Sequence, residues 1–472
     1  MILYNTYTKK LEEFKPLEKK KVRMYSCGPT VYDFVHLGNF RTFLMADFLR
    51  RAFEYSGYEV KHIKNITDVG HLTQDDIETG EDKMIKAAKR EKKTPYDIAK
   101  FYEEAFHKDE EKLNILPARK FPRATEYINQ MIAMIEKLIA NGYAYESNGS
   151  VFYDVEKFKD YGKLSGNTLE NLKTGARLEA HPDKKNPCDF ALWLKADPKY
   201  LMQWDSPWSR GYPGWHIECS AMSIANLGDT IDIHTGGEDN TFPHHEDEIA
   251  QSEGATGKKF VNYWIHGRHL LVDGEKMSKS KGNFYVLTNI EKRGFNPLSF
   301  RYLCLTAHFQ SQLNFTWKSL EASQNALNKL YDFIKLSIEK KTDPIPPSDK
   351  RGPSLCSCSP PDKGGLGGVY EEKFQKALKN NLDTPKALAI IWEMIKSKEL
   401  NYNDKKANLL KFDKVLGLRL DKVKEEKVEI PEKIKNLIKQ REEARKKKDW
   451  KKADELREMI KKEGYAVKDK PI

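Results

Sequence analysis

The chain has 472 residues, 39% of them hydrophobic and 32% charged, which is enough length for about three domains with a buried core. No stretch approaches the roughly 18 consecutive apolar residues of a membrane span, and the N-terminus carries no export signal, so we expect neither a membrane protein nor a secreted one but a cytosolic protein. The net charge of +11 favours a polyanionic partner, and six scattered cysteines predict free thiols rather than a disulfide framework.

The first elements predict an α/β fold. An apolar strand at Val22–Ser26 precedes the loop Cys27-Gly28-Pro29 and a helix over Asn39–Phe53. A second strand, Tyr58–Ile66, ends at Thr67-Asp68. Strands that alternate with helices in this way are typical of a parallel, Rossmann-like sheet, whose ligands gather at the carboxyl ends of the strands.

The rest of the chain changes character twice. The pattern over 94–141 is helical, with one buried face, and residues 145–200 consist of short strands and loops, which we interpret as an insertion. Beyond Asn314 the pattern is helical again, except for a stretch rich in Pro, Gly and Ser at 342–368 that predicts a flexible linker. A basic helical hairpin is predicted over Pro431–Glu463, with its arms separated near Asp449. The buried face of the earlier helical region is predicted to comprise Ile128, Met131, Ile132, Ile135 and Leu138.

Four side chains form a candidate metal site: Cys27, Cys219, His244 and Glu248. His244 and Glu248 stand four residues apart just after a proline, so both lie on one face of a helix that begins there. Two thiolates, an imidazole and a carboxylate suit zinc better than magnesium or calcium. Ordinary burial of each residue is the alternative interpretation, and His245 is an alternative to His244 as the ligand.

Two short motifs are candidate phosphate sites. His36-Leu37-Gly38-Asn39 lies between the first strand and its helix, where backbone amides favour an anion, although such residues are also common helix caps. The loop Lys276-Met277-Ser278-Lys279-Ser280 follows a strand-like run and a turn at Asp273-Gly274. Its lysines fit a mobile clamp on a transferring phosphate group, or a solvated surface.

In this order the two motifs resemble the signatures of class I aminoacyl-tRNA synthetases. Three further segments are similar to signatures of the cysteinyl-tRNA synthetase family: 24–33 (MYSCGPTVYD), 214–222 (GWHIECSAM) and 242–248 (FPHHEDE), and Asn65-Ile-Thr-Asp68 is a fourth. The resemblance covers nearly the whole chain. It implies activation of L-cysteine with ATP and Mg²⁺ to cysteinyl-adenylate, release of pyrophosphate, and transfer to the terminal ribose of tRNA(Cys).

The resemblance also implies roles for individual residues. One zinc ion per chain would be held by Cys27, Cys219, His244 and Glu248. ATP would be bound by His36, Gly38, Asn39, Lys276 and Lys279. The amino-acid pocket would be lined by Thr67, Trp215 and Asp239, with Trp264 and His266 near the adenine. The catalytic residues would be His36, Asn39, Lys276 and Lys279.

The same resemblance predicts six segments and a monomer. They are the first half of a Rossmann-like catalytic domain (1–120), a connective insertion (121–200), the second catalytic half with the zinc site and the lysine loop (201–290), a stem-contact region (291–315), a helical bundle interrupted by the linker 342–368 (316–428), and a basic anticodon-binding domain (429–472).

A zinc ion would distinguish cysteine from serine. Zinc binds a thiolate sulfur at about 2.3 Å, and its bond to a hydroxyl oxygen is far weaker. Such a site can reject the analogue by roughly 10⁴ to 10⁵, so no editing domain is needed. Residues 431–472 contain fifteen Lys and Arg against nine Asp and Glu, with Trp450 and Tyr465 interleaved, which suits tRNA phosphates and unstacked bases. The alternative is a solvated hairpin with Trp450 as its core.

Two other functions are open at this point. One is a ligase that passes activated cysteine to a small-molecule amine, against which the C-terminal helical extension argues. The other is a zinc-bearing RNA-binding protein without activity. Cys356 and Cys358 are interpreted as part of a reduced flexible connector, Cys304 as a packing residue, and Cys188 has no assigned role. The short segment after Tyr465 leaves any anticodon contact by a longer tail in doubt.

Overall fold

The computed structural model describes residues 1–70, 72–74, 79–167, 169, 171, 181–278, 281–339, 366–423, 432–447 and 449–462. The chain forms two compact units, Met1–Lys422 and Val423–Ile472. Within the described ranges, no helix combines the length and the apolar character that a membrane crossing requires.

Fifteen strands lie in the described part of the first unit. In chain order they are β1 (Ile2–Asn5), β2 (Lys10–Glu13), β3 (Lys21–Ser26), β4 (Glu59–Lys64), β5 (Leu72–Gln74), β6 (Thr79–Asp82), β7 (Ala144–Ser147), β8 (Ser150–Tyr153), β9 (Phe190–Lys195), β10 (Gly211–Pro213), β11 (Ile231–Gly237), β12 (Val261–Gly267), β13 (Leu270–Val272), β14 (Glu275–Lys276) and β15 (Leu313–Phe315).

The helices account for most of the remaining described chain. They are α1 (Leu37–Tyr55), α2 (Lys83–Glu91), α3 (Pro95–Lys112), α4 (Ile128–Ala140), α5 (Trp215–Leu227), α6 (His244–Thr256), α7 (Leu287–Lys292), α8 (Pro297–Leu305), α9 (Trp317–Glu339), α10 (Leu366–Lys379), α11 (Thr384–Lys396), α12 (Tyr402–Leu416), α13 (Glu432–Lys446) and α14 (Trp450–Lys462).

The central sheet is parallel and has the order β12-β11-β3-β4. Ser26 pairs with Thr235 on one side and with Lys64 on the other, so the strands end at one common edge. The chain passes from β3 to β4 in one direction and reaches β11 and β12 on the opposite side. This reversal creates a crevice at the carboxyl ends of the strands, which is where open parallel sheets bind ligands. The predicted α/β fold is confirmed.

The predicted helical region over 94–141 is wrong in its middle. Helix α3 ends at Lys112 and α4 begins only at Ile128, because Pro117 and Pro122 lack the amide hydrogen that a helix interior requires. The segment between them extends the central sheet instead. The backbone amide of Ile66 donates to the carbonyl of Pro122 at 2.8 Å, and the amide of Ala124 donates to the carbonyl of Ile66 at 3.0 Å.

A second, antiparallel sheet has the order β10-β9-β8-β7; three of its strands lie in the predicted insertion, whereas β10 lies beyond the predicted end of that insertion at residue 200. It packs on α4 and α5, and the rings of Tyr153 and Phe190 stack at 4.9 Å between centroids. The predicted buried face of α4 is confirmed for four residues, and Ile132 is only partly buried against the same core. The four buried residues are Ile128, Met131, Ile135 and Leu138.

A buried ion cluster ties α1 to the helices that follow the sheet. Arg301 of α8 is fully buried and its Nη2 donates to Asp47 Oδ2 at 2.6 Å, while Arg51 Nε donates to the same oxygen at 2.7 Å. The Nε of Arg301 also donates to the carbonyl of Leu416 at the end of α12. The guanidinium of Arg301 therefore connects α1 to α12. Cys304, on the same helix, is buried in packing as predicted.

Helices α9 to α12 form the predicted bundle, in which the rings of Phe374 and Phe412 stack at 4.1 Å. The predicted linker, including Cys356 and Cys358, lies outside the described residues except for its last three positions, where α10 already begins at Leu366.

In the second unit, α13 and α14 form the predicted hairpin, and its interior contains Ile434, Leu456 and Ile460. Trp450 is 51% exposed, so the interpretation of Trp450 as the hairpin core is wrong. Tyr465 lies outside the described residues.

Candidate active site

A cavity of about 340 Å³ opens at the carboxyl edge of the central sheet. Its walls come from the loop after β3, the segment after β4, the turn after β11 and the first turns of α1, α5 and α6. The sheet therefore brings together stretches of chain that are more than 200 residues apart. Of the predicted site residues, the walls include Cys27, His36, Asn39, Thr67, Trp215, Cys219, Asp239 and His244.

The predicted metal ligands converge at the floor of this cavity. The ligand atoms of Cys27, Cys219, His244 and Glu248 all lie within 4.8 Å of one another, and all four residues are buried. His244 and Glu248 lie one turn apart on α6, so that His244 Nε2 is 3.1 Å from Glu248 Oε1. Cys27 follows directly on β3, and Cys219 lies in the second turn of α5.

A glycine is required where the floor is built. Gly28 follows Cys27 at the point where the ends of β3 and β4 approach each other. A Cβ at this position would lie 1.7 Å from the carbonyl oxygen of Asn65, so a side chain would force the two strand ends apart. The backbone amide of Gly28 donates to Asn65 Oδ1 at 2.8 Å, which fixes the Cys27 loop on β4.

A second set of histidines lies behind the floor. The set Cys27, His234, His245 and Glu248 also meets the distance requirement for a metal site. His234 Nε2 is 3.0 Å from Glu248 Oε2, and His245 Nε2 is 3.2 Å from Cys27 Sγ. Neither histidine lines the cavity, and both are fully buried, whereas His244 does line it. His244 is therefore the histidine of the two predicted alternatives that borders the space open to a ligand.

Burial makes the thiols of this cluster hard to ionise without a cation. Burial raises the pKa of Cys27 well above its usual value, and the neighbouring Cys219 and the Glu248 carboxylate raise it further. For Cys219, the hydrogen bond with Cys27 lowers the pKa, but burial and the carboxylates of Glu248 and Glu218 outweigh it and raise the pKa overall. Two thiols beside a buried carboxylate are a donor set that a divalent cation would stabilise.

The geometry fits zinc. In a tetrahedral zinc site the ligand atoms lie about 3.4 to 3.8 Å apart, which follows from Zn–N and Zn–S bonds of about 2.1 and 2.3 Å. The four ligand atoms here lie within 4.8 Å of one another, which is wider than this range by about 1 Å. His234 hydrogen-bonds the outer oxygen of Glu248 and so orients the carboxylate, as partners of metal ligands commonly do.

Next to the floor lies a hydrogen-bonded polar group that could bind the amino group of an amino acid. Thr67 Oγ1 donates to Glu218 Oε2 at 2.8 Å and accepts from Asn65 Nδ2 at 3.1 Å. Glu218 is fully buried. The ring of Trp215 stacks on the ring of His244 at 4.6 Å and closes one side of the cavity.

Sequence reasoning missed Asn65 and Glu218 as site residues. Both stand beside predicted ones, Asn65 two residues before Thr67 and Glu218 immediately before Cys219, and this proximity is the signal that could have identified them. Asp239 lies in the turn after β11 and lines this cavity and a neighbouring one.

The neighbouring cavity has a volume of about 110 Å³ and contains the predicted nucleotide residues His36, Gly38, Asn39 and Lys276. His36 caps α1, and its Nδ1 accepts from the backbone amide of Asn39 at 3.2 Å. A Cβ at Gly38 would lie 2.9 Å from the His36 ring, so glycine allows the ring to fold back over the helix end. Lys279 lies outside the described residues.

Trp264 and His266 are brought to neither cavity wall. Trp264 is buried and its ring stacks on His234 at 4.7 Å, and His266 Nε2 is 2.7 Å from His245 Nδ1. Both residues support the histidines behind the floor, and a contact of either with adenine stays a prediction.

The solved structures with a similar fold include two of one enzyme. Two structures of Mycobacterium tuberculosis methionyl-tRNA synthetase, both bound to methionyl-adenylate, match with a TM-score of 0.57 each and identities of 14% and 13%. Each match covers 84% of this chain and 88% of the other. The fold is that of a class I aminoacyl-tRNA synthetase.

Sequence comparisons narrow the class to a family. A family model described as the class I (C) catalytic domain of tRNA synthetases matches residues 13–325, and one described as the cysteinyl-tRNA ligase anticodon binding domain matches 427–471. Cysteine–tRNA ligase of Treponema denticola is 42% identical over 99% of this chain and 97% of its own length. Cysteine–tRNA ligase 1 of Burkholderia lata is 43% identical over 100% and 95%. The chain belongs to the cysteine–tRNA ligase family.

Proposed function

We propose that this chain activates L-cysteine with ATP and transfers it to the 3′-terminal ribose of tRNA(Cys). The observation that carries the proposal is the buried cluster of two cysteines, a histidine and a glutamate at the floor of a cavity whose mouth holds the His36–Asn39 segment. Family membership and the match to an anticodon-binding domain support the same function. They do not support the small-molecule amine as acceptor.

The proposed metal is zinc, held by Cys27, Cys219, His244 and Glu248. When bound, zinc supplies a strong bond to sulfur and a weak one to a hydroxyl. The position of the cluster on the cavity floor supports this role, because Cys27, Cys219 and His244 line the cavity and can contact the side chain of a bound amino acid. Shape alone would separate cysteine from serine poorly, since the two differ by a single atom.

The chain's own residues would hold the rest of the amino acid. Thr67 donates its hydroxyl hydrogen to Glu218 and accepts from Asn65 with one lone pair, so the second lone pair can accept from the substrate ammonium. The buried Glu218 adds negative charge behind Thr67, and Asp239 adds a carboxylate at the wall. These groups favour a cationic amino end and leave the substrate carboxylate directed to the mouth.

In the proposed activation step, a carboxylate oxygen of cysteine attacks the α-phosphorus of ATP and the bond to pyrophosphate breaks. The N-terminal end of α1 lies at the mouth, where the positive end of the helix dipole and the side chains of His36 and Asn39 would stabilise phosphate charge. Lys276 lines the adjoining cavity and, with Lys279, would bind the leaving pyrophosphate together with Mg²⁺.

We propose that the second unit binds the anticodon region of the tRNA. Its residues from 431 onwards carry fifteen basic and nine acidic side chains, and the exposed Trp450 offers a stacking surface. A cytoplasmic location and a monomeric state are further parts of the proposal and stem from the family resemblance. Light scattering after size exclusion tests the monomer directly.

The proposal is tested by cysteine-dependent exchange of pyrophosphate into ATP, measured beside serine at the same concentration. We expect exchange with cysteine and at least about 10⁴-fold less with serine. Equal exchange with both amino acids would refute the zinc-based selection. Absence of exchange with cysteine in the wild type would favour the non-enzymatic alternative, whereas full exchange activity of Lys279→Ala would refute the role proposed for this lysine.

A further inference from the structure

Exposed aromatic rings are concentrated beside the active-site mouth. In the described part of the chain, four aromatic side chains are more than a third exposed: Phe34, Tyr96, Phe101 and Trp450. Three of the four fall in the stretch from Phe34 to Phe101, and Trp450 belongs to the second unit. Of the three, Phe34 and Phe101 are neighbours in space, and adjoining exposed rings at the edge of a cavity form a candidate interaction surface.

Phe34 connects this surface to the cavity. It lines the cavity wall, is 38% exposed, and packs edge-to-face on Phe101 at 6.2 Å and on Tyr102 at 5.1 Å. In an edge-to-face pair the edge of one ring covers one face of the other, so the faces outside these pairs are the ones that a further flat partner could use. Phe101 is 43% exposed and does not line the cavity, so its ring extends the wall outwards.

Positive charge accompanies the rings. Lys93 Nζ lies 4.4 Å from the centroid of the Phe101 ring and 3.4 Å from Glu91 Oε2, so a phosphate would share this cation with a carboxylate. Helix α2, which begins at Lys83 on the cavity wall and runs towards Lys93, also carries exposed Lys86, Lys89 and Arg90. Aromatic rings with interleaved cations are the combination that binds single-stranded nucleic acid, through base stacking and phosphate contacts.

We propose that Phe34, Phe101 and Lys93, which we call the aromatic step, bind the unpaired 3′ end of the tRNA as it enters the cavity. The inference rests on the proposed function, because only an RNA acceptor must carry its terminal ribose to the adenylate. Bases stack on the Phe101 ring, and Lys93 contacts the backbone phosphate beside it. Phe34 continues the path to the wall.

The test uses Phe101→Leu, which removes the ring but keeps an apolar side chain, and Phe101→Trp, which restores a stacking face. For Phe101→Leu we expect affinity for tRNA(Cys) and single-turnover transfer from preformed adenylate to fall by about 5-fold to 150-fold, the range for one lost stacking contact. Phe101→Trp should recover at least half of the lost affinity. Cysteine-dependent pyrophosphate exchange of Phe101→Leu should stay within about twofold of wild type, because no RNA takes part in that reaction.

A trimmed RNA locates the contact. tRNA(Cys) without its unpaired 3′ nucleotides should bind the wild type and Phe101→Leu equally well. Lys93→Ala should weaken the binding of full-length tRNA more than Lys100→Ala does. Lys100→Ala is the control because it removes the same charge from an exposed position of α3. Unchanged tRNA affinity and transfer in Phe101→Leu would overturn the inference, and so would an equal loss with the trimmed and the full RNA. Absence of exchange in the wild type would instead refute the proposed function. In that case the binding of full-length and trimmed tRNA(Cys) to the wild type and to Phe101→Leu would still test the aromatic step.

Discussion

The buried guanidinium of Arg301 gives the most quantitative prediction. Arg301 is fully buried and donates to three backbone carbonyls, those of Leu416, Leu113 and Asn114, and to the carboxylate of Asp47. In Arg301→Met the chain keeps similar volume but loses all of these donors. Arg51 still pairs with Asp47, so the carboxylate retains one of its two guanidinium partners.

The magnitude follows from what is left unpaired. Each buried carbonyl without a donor costs about 1 kcal/mol or more, and loss of one partner of a buried ion pair costs about 3 to 5 kcal/mol in all. We therefore expect the free energy of unfolding of Arg301→Met to be lower by about 3 to 5 kcal/mol. Urea unfolding followed by circular dichroism measures this difference.

The matched control is Arg119→Met, because Arg119 pairs with Glu59 at 4.0 Å and both side chains are 66% exposed. Surface pairs contribute about 1 kcal/mol or less, so the control should change little. A loss below about 1 kcal/mol for Arg301→Met, or an equal loss for the control, would refute the reasoning from burial.

Three further predictions concern the metal site, pH and tRNA. Cys219→Ser should lose bound zinc, measured by elemental analysis, together with cysteine activation, whereas the equally buried Cys304→Ser should keep both. The carboxylates of Glu103 and Glu110 lie 3.7 and 3.5 Å from the ring nitrogens of His107 and raise its pKa to about 9, so its stabilising charge is present below the ordinary value of 6.5 and is lost as pH rises through 9. The stability gap between wild type and His107→Gln, from urea unfolding, should therefore close between pH 6.5 and 9. Trp450→Ala should weaken tRNA binding about 5-fold to 150-fold with little change in stability, because the ring is exposed.

The sequence predicts local structure well where one pattern dominates. The end of β3 at Ser26 was predictable because apolar strands stop at polar, glycine- or proline-containing loops. The second predicted strand, Tyr58–Ile66, exists as β4 but ends two residues earlier, at Lys64. The pairing of His244 with Glu248 was predictable because helix geometry alone determines it. The error between Lys112 and Ile128 arose because helical spacing on both sides was extended across two prolines, whose presence argues for a break.

Contacts between distant segments could not be derived from pattern. Cys27 and Cys219 are 192 positions apart in the sequence, and only the parallel order of β3 and β11 explains how α5 and the β3 loop meet. Arg301 was missed for the same reason, since its four acceptors come from three other parts of the chain. Arg301 nevertheless lies in the otherwise apolar run of α8, and a charged residue in such a run predicts buried partners from other parts of the chain.

The arrangement along one sheet edge explains why selection and activation can share a single cavity. The loop that supplies Cys27 and the helix start that supplies His36 and Asn39 both belong to the connection between β3 and α1. In the proposed complex, a side chain held on the floor therefore fixes the distance of its own carboxylate from the phosphate-binding helix end. A serine that makes no firm bond to the floor loses this alignment as well as its affinity. Rejection of serine would then act on the rate of activation and on binding together, which is how one site reaches high selectivity without a second, hydrolytic one.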